Sequence, residues 1–465
     1  MATIATPGNR HLITDWRPED AEFWESYGKR VATRNLWISI PCLLLAFSVW
    51  MVFSAVAVRL NSIGFTFTDN QLFWLAALPG LSGATLRIFY SFMVPIFGGR
   101  RWTVISTASL VIPALGMGLA VQSPDTPYWV FIVLALLCGF GGGNFASSMA
   151  NISFFYPKSQ QGTALGLNAG LGNLGVSVMQ FVVPAVITTG AFAAVFGGPQ
   201  ELSDGGRLWL QNAGFIWVPF ILLFTVLAWF GMNDLATAQA SFRDQAVIFK
   251  RKHQWLMTYL YIATFGSFIG YSAGFPLLIK TQFPDVDPLQ YAFLGPMVGA
   301  LIRPVGGWMS DKLGGARVTF WNFVVMIAAV FGVVYFLPVL GTEGNFWGFF
   351  GMFMLLFITT GVGNGSTFRM IPVIFRNIHE RGAEGQGEEA RLAAIKAANK
   401  ESAATLGFSS AIAAYGAFFI PKAYGTSIAV TGGPTAALYA FAIYYLTCIA
   451  VTWWFYHRRG AEAPC

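Results

Sequence analysis

The 465-residue sequence predicts an all-α membrane protein with twelve transmembrane helices in two six-helix pseudo-symmetric halves. Three observations carry that fold class. Hydrophobic residues make up 55% of the chain and charged residues 11%, far from the roughly one quarter charged of a soluble domain. Apolar runs of about 20 residues suffice to cross a hydrocarbon core about 30 Å thick, and such runs fall at 37–59, 72–97, 103–122, 128–153, 162–190, 209–232, 256–279, 290–309, 318–338, 346–374, 402–420 and 434–457. Third, "GATLRIFYSFMVPIFGGRRWT" (83–103) recurs 216 residues later as "GALIRPVGGWMSDKLGGARVT" (299–319). Gly83, Ala84, Arg87, Gly98, Gly99, Arg101 and Thr103 repeat in register, so Arg303 stands where Arg87 stood.

The elements follow in chain order. Residues 1–35 form a polar tail that runs into "YGKRVATRNLW" and lacks the apolar core of a signal peptide, which places the N-terminus in the cytoplasm. Twelve crossings return the C-terminus to the same side. The basic residues agree, since Arg59, Arg207, Lys280 and Lys422 are the ones placed outside. The net charge of +7 is therefore a topology signal and gives no support to nucleic-acid binding. The predicted layout is a tail at 1–35, an N-terminal half at 36–234, a linker at 235–255, a C-terminal half at 256–457 and a tail at 458–465. Between spans ten and eleven, "RNIHERGAEGQGEEARLAAIKAANKE" (376–401) reads as a solvated loop whose latter part forms an exposed helix.

A weaker echo pairs spans five and eleven, matching Gly170 to Gly407 and Pro184 to Pro421. Gly170, Gly172 and Gly175 spell the dinucleotide fingerprint, but they lie in an apolar span without the preceding strand or the later acidic residue that the fingerprint needs. Close helix packing is the better reading. Cys42, Cys138, Cys448 and Cys465 lack metal-ligand spacing and read as packing residues. No nucleophile, metal cluster or phosphate loop points to an enzyme, and no cofactor is implied.

The repeated arginines carry the chemistry. An ionisable side chain inside a bilayer costs at least about 2.5–3.5 kcal/mol and usually faces a cavity or a partner. Arg87 falls near the middle of span two; Arg303 lies one to two turns from the end of span eight, where snorkelling or pairing with Asp311 is the plainer alternative. Arg369 has no repeat partner and is expected to snorkel at the end of span ten. No Asp, Glu, His or Lys lies well inside a predicted span, so an anion brought from outside is the missing counter-charge. Guanidinium forks match planar oxyanions by paired hydrogen bonds and keep their proton. The membrane potential opposes anion entry by about 2.3 kcal/mol per 100 mV, which exchange of one monovalent anion for another avoids. In the loop after each arginine, Asp311 has Pro95 as its first-half counterpart, so gating by an Asp-containing ion pair is expected in the second half.

Parallel halves of this kind build transporters of the major facilitator type. Beyond that, "ITDWRPED", "NLWISIPCLLLAFSVWMVFSAVAV", "SFMVPIFGGRRWT", "CGFGGGNFASSMANISFFYPK", "GLNAGLGNLGVSVMQ", "YIATFGSFIGYSAGF" and "LGFSSAIAAYGAFFIPKAYG" resemble the nitrate/nitrite porters of the bacterial NarK type, from about residue 13 to 457. The resemblance implies a major facilitator fold, a monomer in the lipid of the bacterial inner membrane, and nitrate import against nitrite export by alternating access. It also implies that Arg87 and Arg303 bind the anion. Carried over from the signature segments, Asn173 and the Gly170 and Gly407 backbones line the site, with Ser409 nearby. Tyr261 becomes a hydrogen-bond donor to the anion, Phe145 and Phe265 cover its faces, and Phe47 packs close by. Without the family, each has a plainer reading: 44 phenylalanines must mostly pack helices or face lipid, Asn144, Asn151, Asn168 and Asn173 could bond helix to helix, and Tyr261 could anchor at the interface. The runner-up function is proton-coupled nitrate symport; a non-transporting nitrate sensor or an anion channel are the readings from other classes.

Overall fold

The computed structural model describes residues 11–190, 197–202, 205–238, 246–338 and 343–465. Among them, eleven helices are long and apolar enough to cross a membrane: α1 (Ala21–Ile63), α2 (Asp69–Tyr90), α3 (Gly99–Ala120), α4 (Tyr128–Phe155), α5 (Lys158–Ile187), α6 (Asn212–Gly231), α7 (Lys252–Gln282), α9 (Gly315–Phe336), α10 (Phe346–Gly382), α11 (Glu388–Thr431) and α12 (Thr435–His457). The eighth predicted span is also a helix, α8 (Leu294–Leu313), made more polar by Arg303, Asp311 and Lys312. The fold is all-α and multi-pass. Short strands β1 (Leu12–Ile13) and β4 (Asp234–Leu235) pair in parallel, and β2 (Gln200–Glu201) and β3 (Arg207–Leu208) pair antiparallel.

The chain divides into two compact units, Met1–Ala240 with Pro288–Phe293, and Ser241–Asp287 with Leu294–Cys465. In the first, α2 opens on a reciprocal cap: the Thr68 hydroxyl accepts from Gln71 N, and the Gln71 side chain accepts from Thr68 N. Such caps occupy amide hydrogens that the first helical turn leaves without partners. The α2 and α4 backbones approach at Gly83 and Gly142, where an added Cβ on Gly142 would lie 2.7 Å from the Gly83 Cα. The second unit repeats this between α8 and α10. A Cβ on Gly361 would collide with the Gly299 carbonyl, and one on Gly365 with the Arg303 carbonyl. Small residues at these crossings let two helices meet where lipid supplies no hydrophobic driving force. Gly98 and Gly314, matched by the repeat, both have φ +89°, a conformation that favours glycine and turns the chain into α3 and α9.

Two of the three fingerprint glycines behave as packing residues. Gly172 and Gly175 of α5 press against Leu43 and the Leu44 carbonyl of α1. Cys42, Cys138 and Cys448 are buried thiols, and Cys465 is partly exposed.

Several segments read as tails or loops are instead packed. In the first unit, Trp16, Phe23 and Trp24 are buried with Val94, Ile152 and Phe155, and the Trp16 indole donates to the Phe154 carbonyl at 3.1 Å. Aromatic density in a polar segment is what made that packing possible. Beside β4, Asp234 supplies the carboxylate that Pro95 lacks. Its Oδ1 accepts from the amides of Arg100 (2.8 Å) and Arg101 (3.3 Å), and its Oδ2 lies 3.3 Å from Arg100 Nε.

In the second unit the expected loop at 376–401 is mostly helix. α10 continues to Gly382 and α11 begins at Glu388, because the stretch after Gly387 is rich in helix-forming Glu, Ala and Lys. Glu401, just before the apolar run that starts at 402, is buried and accepts from Arg251 Nε at 2.9 Å and Nη2 at 2.8 Å, with His379 Nε2 at 3.2 Å. The tail also docks: Glu462 pairs with Lys252 at 2.6 Å, and the Cys465 carbonyl accepts from Ala316 N at 3.0 Å. That carbonyl meets the first turn of α9 as Asp234 meets the first turn of α3. Arg369, expected to snorkel, instead pairs with Asp311, whose carboxylate is thereby engaged away from Arg303.

Two outcomes follow from these contacts. The Arg100–Asp234 pair is only 6% exposed on each side, and removing one partner of a buried pair costs about 3–5 kcal/mol. Asp234→Ala should therefore lower the thermal unfolding temperature of the purified protein, and Arg100→Ala in the same background should recover part of the loss. Burial alone would raise the Glu401 carboxyl, but the Arg251 guanidinium and His379 outweigh it and hold its pKa below the ordinary value of 4.5. A pKa depressed on folding gives stability that is present above the unfolded value and lost as pH falls through the folded one. Thermal scans should show unfolding temperature declining as pH drops below about 4.5, with Glu401→Gln less stable at neutral pH and less responsive to acid.

Candidate functional site

In the first unit the site is built on α2. Pro79, Gly83 and Arg87 follow one another at intervals of four, which places them on one face of the helix. Arg87 is 1% exposed. Its Nε donates to the Gly142 carbonyl of α4 at 2.8 Å, and its guanidinium carbon sits 4.7 Å from the Phe145 ring centre, 5.1 Å from Trp50 and 6.0 Å from Phe47. Phe47 meets Trp50 and Phe145 edge-on, with centroids 5.4 and 6.0 Å away. The negative faces of aromatic rings favour a cation, by about 0.5–2 kcal/mol each. None of these neighbours carries a full negative charge.

The signature segment of α5 reaches this cluster at Gly175. Gly175 presses on the Phe47 Cβ. Asn173 closes the first segment of α5, is 3% exposed, and has a side-chain oxygen with no hydrogen-bond partner. Leaving a buried amide oxygen unpaired costs about 1–3 kcal/mol, and an oxyanion, which only accepts, would not relieve that cost. A Cβ at Gly170 would meet nothing within 4 Å, so packing does not demand glycine there. Asn168 and Asn144 follow the plainer reading, bonding to Ser148 Oγ at 2.9 Å and to the Ser106 carbonyl at 3.4 Å. Asn151 packs against Gly99.

The second unit carries a related set. Arg303 of α8 is half-buried; its Nη2 donates to the Tyr261 hydroxyl at 3.4 Å, and its guanidinium carbon lies 5.4 Å from the Phe368 ring centre. Tyr261 is 2% exposed and stacks on Phe265 at 5.8 Å and 28°. A π turn over Ile262–Gly266 follows Tyr261, and such wide turns are frequent at functional positions. Because the Tyr261 oxygen accepts from Arg303, its own hydrogen remains to donate elsewhere. Ser409 is engaged with Thr258, 2.8 Å away, while Gly407, like Gly170, has open space where a Cβ would stand.

The structure thus groups Arg87, Phe47 and Phe145 in one unit and Arg303, Tyr261 and Phe265 in the other. Sequence reasoning missed Trp50, Gly142 and Phe368. A signal for Phe368 was present, since "GFGGGNF" (139–145) and "GVGNGSTF" (361–368) are glycine-rich runs that each end in the phenylalanine lying over an arginine. Both halves therefore offer the same chemistry: a guanidinium against a ring from the helix two spans on, suited to a small planar anion.

Known proteins resemble this chain in sequence and in fold. A profile of the Major Facilitator Superfamily matches residues 36–385. The chain is 57% identical over 465 residues to the nitrate/nitrite transporter NarU of Escherichia coli K12, covering 99% of both chains. It is 43% identical over 462 residues to the probable nitrate/nitrite antiporter NarK2 of Thermus thermophilus, covering 97% of this chain and 98% of the relative. Among solved structures, the inward-facing, occupied form of a bacterial homologue of the human lysosomal transporter Spinster superposes with a TM-score of 0.60 at 13% identity, over 92% of this chain and 96% of that one. The last likeness is one of fold alone.

Proposed function

The chain belongs to the nitrate/nitrite porters of the major facilitator superfamily, and from that premise we propose that it imports nitrate and exports nitrite by exchange. The observation that carries the reading is the repeated arginine, one in each unit, set against aromatic rings in spans whose interior sequence supplies no acidic counter-ion. An empty cation of this kind is poorly solvated; a bound monovalent oxyanion cancels part of that cost. The loaded carrier then changes its access more readily than the empty one, and that difference makes the process exchange.

In this reading the Arg87 and Arg303 guanidiniums bind the anion, the Tyr261 hydroxyl donates to one of its oxygens, and Asn173 donates through its amide nitrogen. Phe145 and Phe265 exclude water from its faces, with Phe47 behind Phe145. The open space beside Gly170 and Gly407 leaves room for the ligand, and Ser409 acts through Thr258. Nitrate and nitrite differ by one oxygen, and the same donors serve both. Alternating access presents the bound anion first to one side of the membrane and then to the other. The protein works as a monomer in the bacterial inner membrane, with both termini in the cytoplasm.

Counterflow in liposomes tests this directly. With membrane potential and pH gradient held at zero, external nitrate should enter vesicles loaded with nitrite or nitrate and should not enter empty ones. Equal entry into empty vesicles would sink the exchange reading, and entry driven by an imposed pH gradient would point to symport. Arg87→Lys and Arg303→Lys should each reduce exchange about 10–100-fold, because an ammonium replaces a fork of charge-assisted hydrogen bonds with a point charge. Near-normal uptake by either variant would remove that arginine from the site. Tyr261→Phe should raise the KM for nitrate about tenfold to a hundredfold, the worth of one hydrogen bond to a charged group.

A further inference from the structure

We infer that Trp50 is a positioning residue that holds the Arg87 guanidinium in place for the anion. The inference rests on the reading that Arg87 binds the transported anion. Trp50 is 0% exposed, and its ring lies 5.1 Å from the Arg87 guanidinium carbon. Phe47 and Phe145 also face that guanidinium, but Trp50 differs from them in being tethered. Its indole N–H donates to the Pro79 carbonyl at 2.6 Å. Pro79 and Arg87 lie on one face of α2, two turns apart, with Gly83 between them. The indole occupies the space that a side chain at Gly83 would need, since an added Cβ would stand 2.5 Å from Trp50 Nε1. Gly142 is cut away on the other side, where a Cβ would stand 2.6 Å from Trp50 Cε2.

These contacts assign a division of labour. Pro79 fixes the ring, Gly83 and Gly142 admit it, and the ring face and the Gly142 carbonyl together fix Arg87. Any other aromatic could offer a π face at this position, but only one that carries a hydrogen-bond donor could also be pinned to Pro79; phenylalanine cannot. Pre-organising the guanidinium lowers the ordering cost that the anion must otherwise meet on binding. The effect therefore belongs to affinity more than to turnover. The second unit places Phe268 against Gly299, the repeat counterpart of Gly83, with no indole N–H to pin it.

The test compares Trp50→Phe, Trp50→Leu, Gly142→Ala and Arg87→Gln in nitrite-loaded liposomes, recording the KM for external nitrate, the maximal rate and the thermal unfolding temperature. Both tryptophan variants should raise KM, by about two- to thirtyfold and more for leucine, the range that a cation–π contact carries. The maximal rate should stay within about twofold of the parent, because the transport step itself keeps its groups. Gly142→Ala leaves Trp50 and Arg87 in the chain, but its Cβ would press on both the ring and the Gly83 backbone, so it should raise KM in the same direction and also lower the unfolding temperature. If Trp50→Leu fails to fold, Trp50→Phe and Gly142→Ala decide the matter. An unchanged KM in those two, with only the unfolding temperature or maximal rate lowered, makes Trp50 a packing residue and overturns the inference. Arg87→Gln separates the two levels: unchanged KM there sinks the reading of the site, whereas a loss there with unchanged KM in the tryptophan variants sinks the positioning role alone.

Discussion

A permanently charged guanidinium in a low-dielectric interior is the constraint around which each unit is arranged. Arginine cannot shed its proton to escape the desolvation cost, so the surroundings must meet it. In the first unit they do so with a carbonyl and three ring faces, none of which cancels the charge. In the second, a tyrosine hydroxyl and one ring stand in the same relation to Arg303. Such compensation is partial. A buried carboxylate would cancel the charge outright, whereas no polar contact at all would leave the helix bearing the full cost of a cation in the bilayer.

The glycine crossings follow from that requirement. For the Gly142 carbonyl to reach Arg87 Nε at 2.8 Å, α2 and α4 must approach at backbone distance, and only residues without a Cβ allow it at Gly83 and Gly142. The same spacing recurs where α8 meets α10. The repeat thus preserves a pair of helices in van der Waals contact and a cation held at their crossing. It does not preserve the degree of enclosure: Arg87 is buried beneath rings, whereas Arg303 is half-buried and hydrogen-bonded to a side chain.

Away from the site, each unit closes the first turn of its third helix with an oxygen acceptor from beyond its sixth. Asp234 does this for α3, and the Cys465 carbonyl for α9. Different atoms solve one problem, namely amide hydrogens that the first helical turn leaves without partners. The Pro95 departure from the repeat is therefore compensated from a distant part of the chain, and Asp311 is free to pair with Arg369.

What the sequence by itself determined is whatever depends on period and repetition. Twelve apolar runs give twelve helices because a backbone in lipid must satisfy its own hydrogen bonds, and Arg87 and Arg303 stand out because a charge in an apolar run is costly and these two recur in register. Phe47 and Phe145 could be named only through resemblance, since nothing in a single sequence separates two of 44 phenylalanines from the rest. Tertiary structure decided what depends on distance between residues far apart in the chain. Trp50 under Arg87, Phe368 over Arg303, Asp234 at the start of α3, Asp311 with Arg369, and the burial of Glu401 by Arg251 are all of this kind. Hydropathy reports the cost of placing one residue in lipid, but the partner that offsets the cost is chosen by how helices cross, and that choice leaves no periodic trace in the sequence.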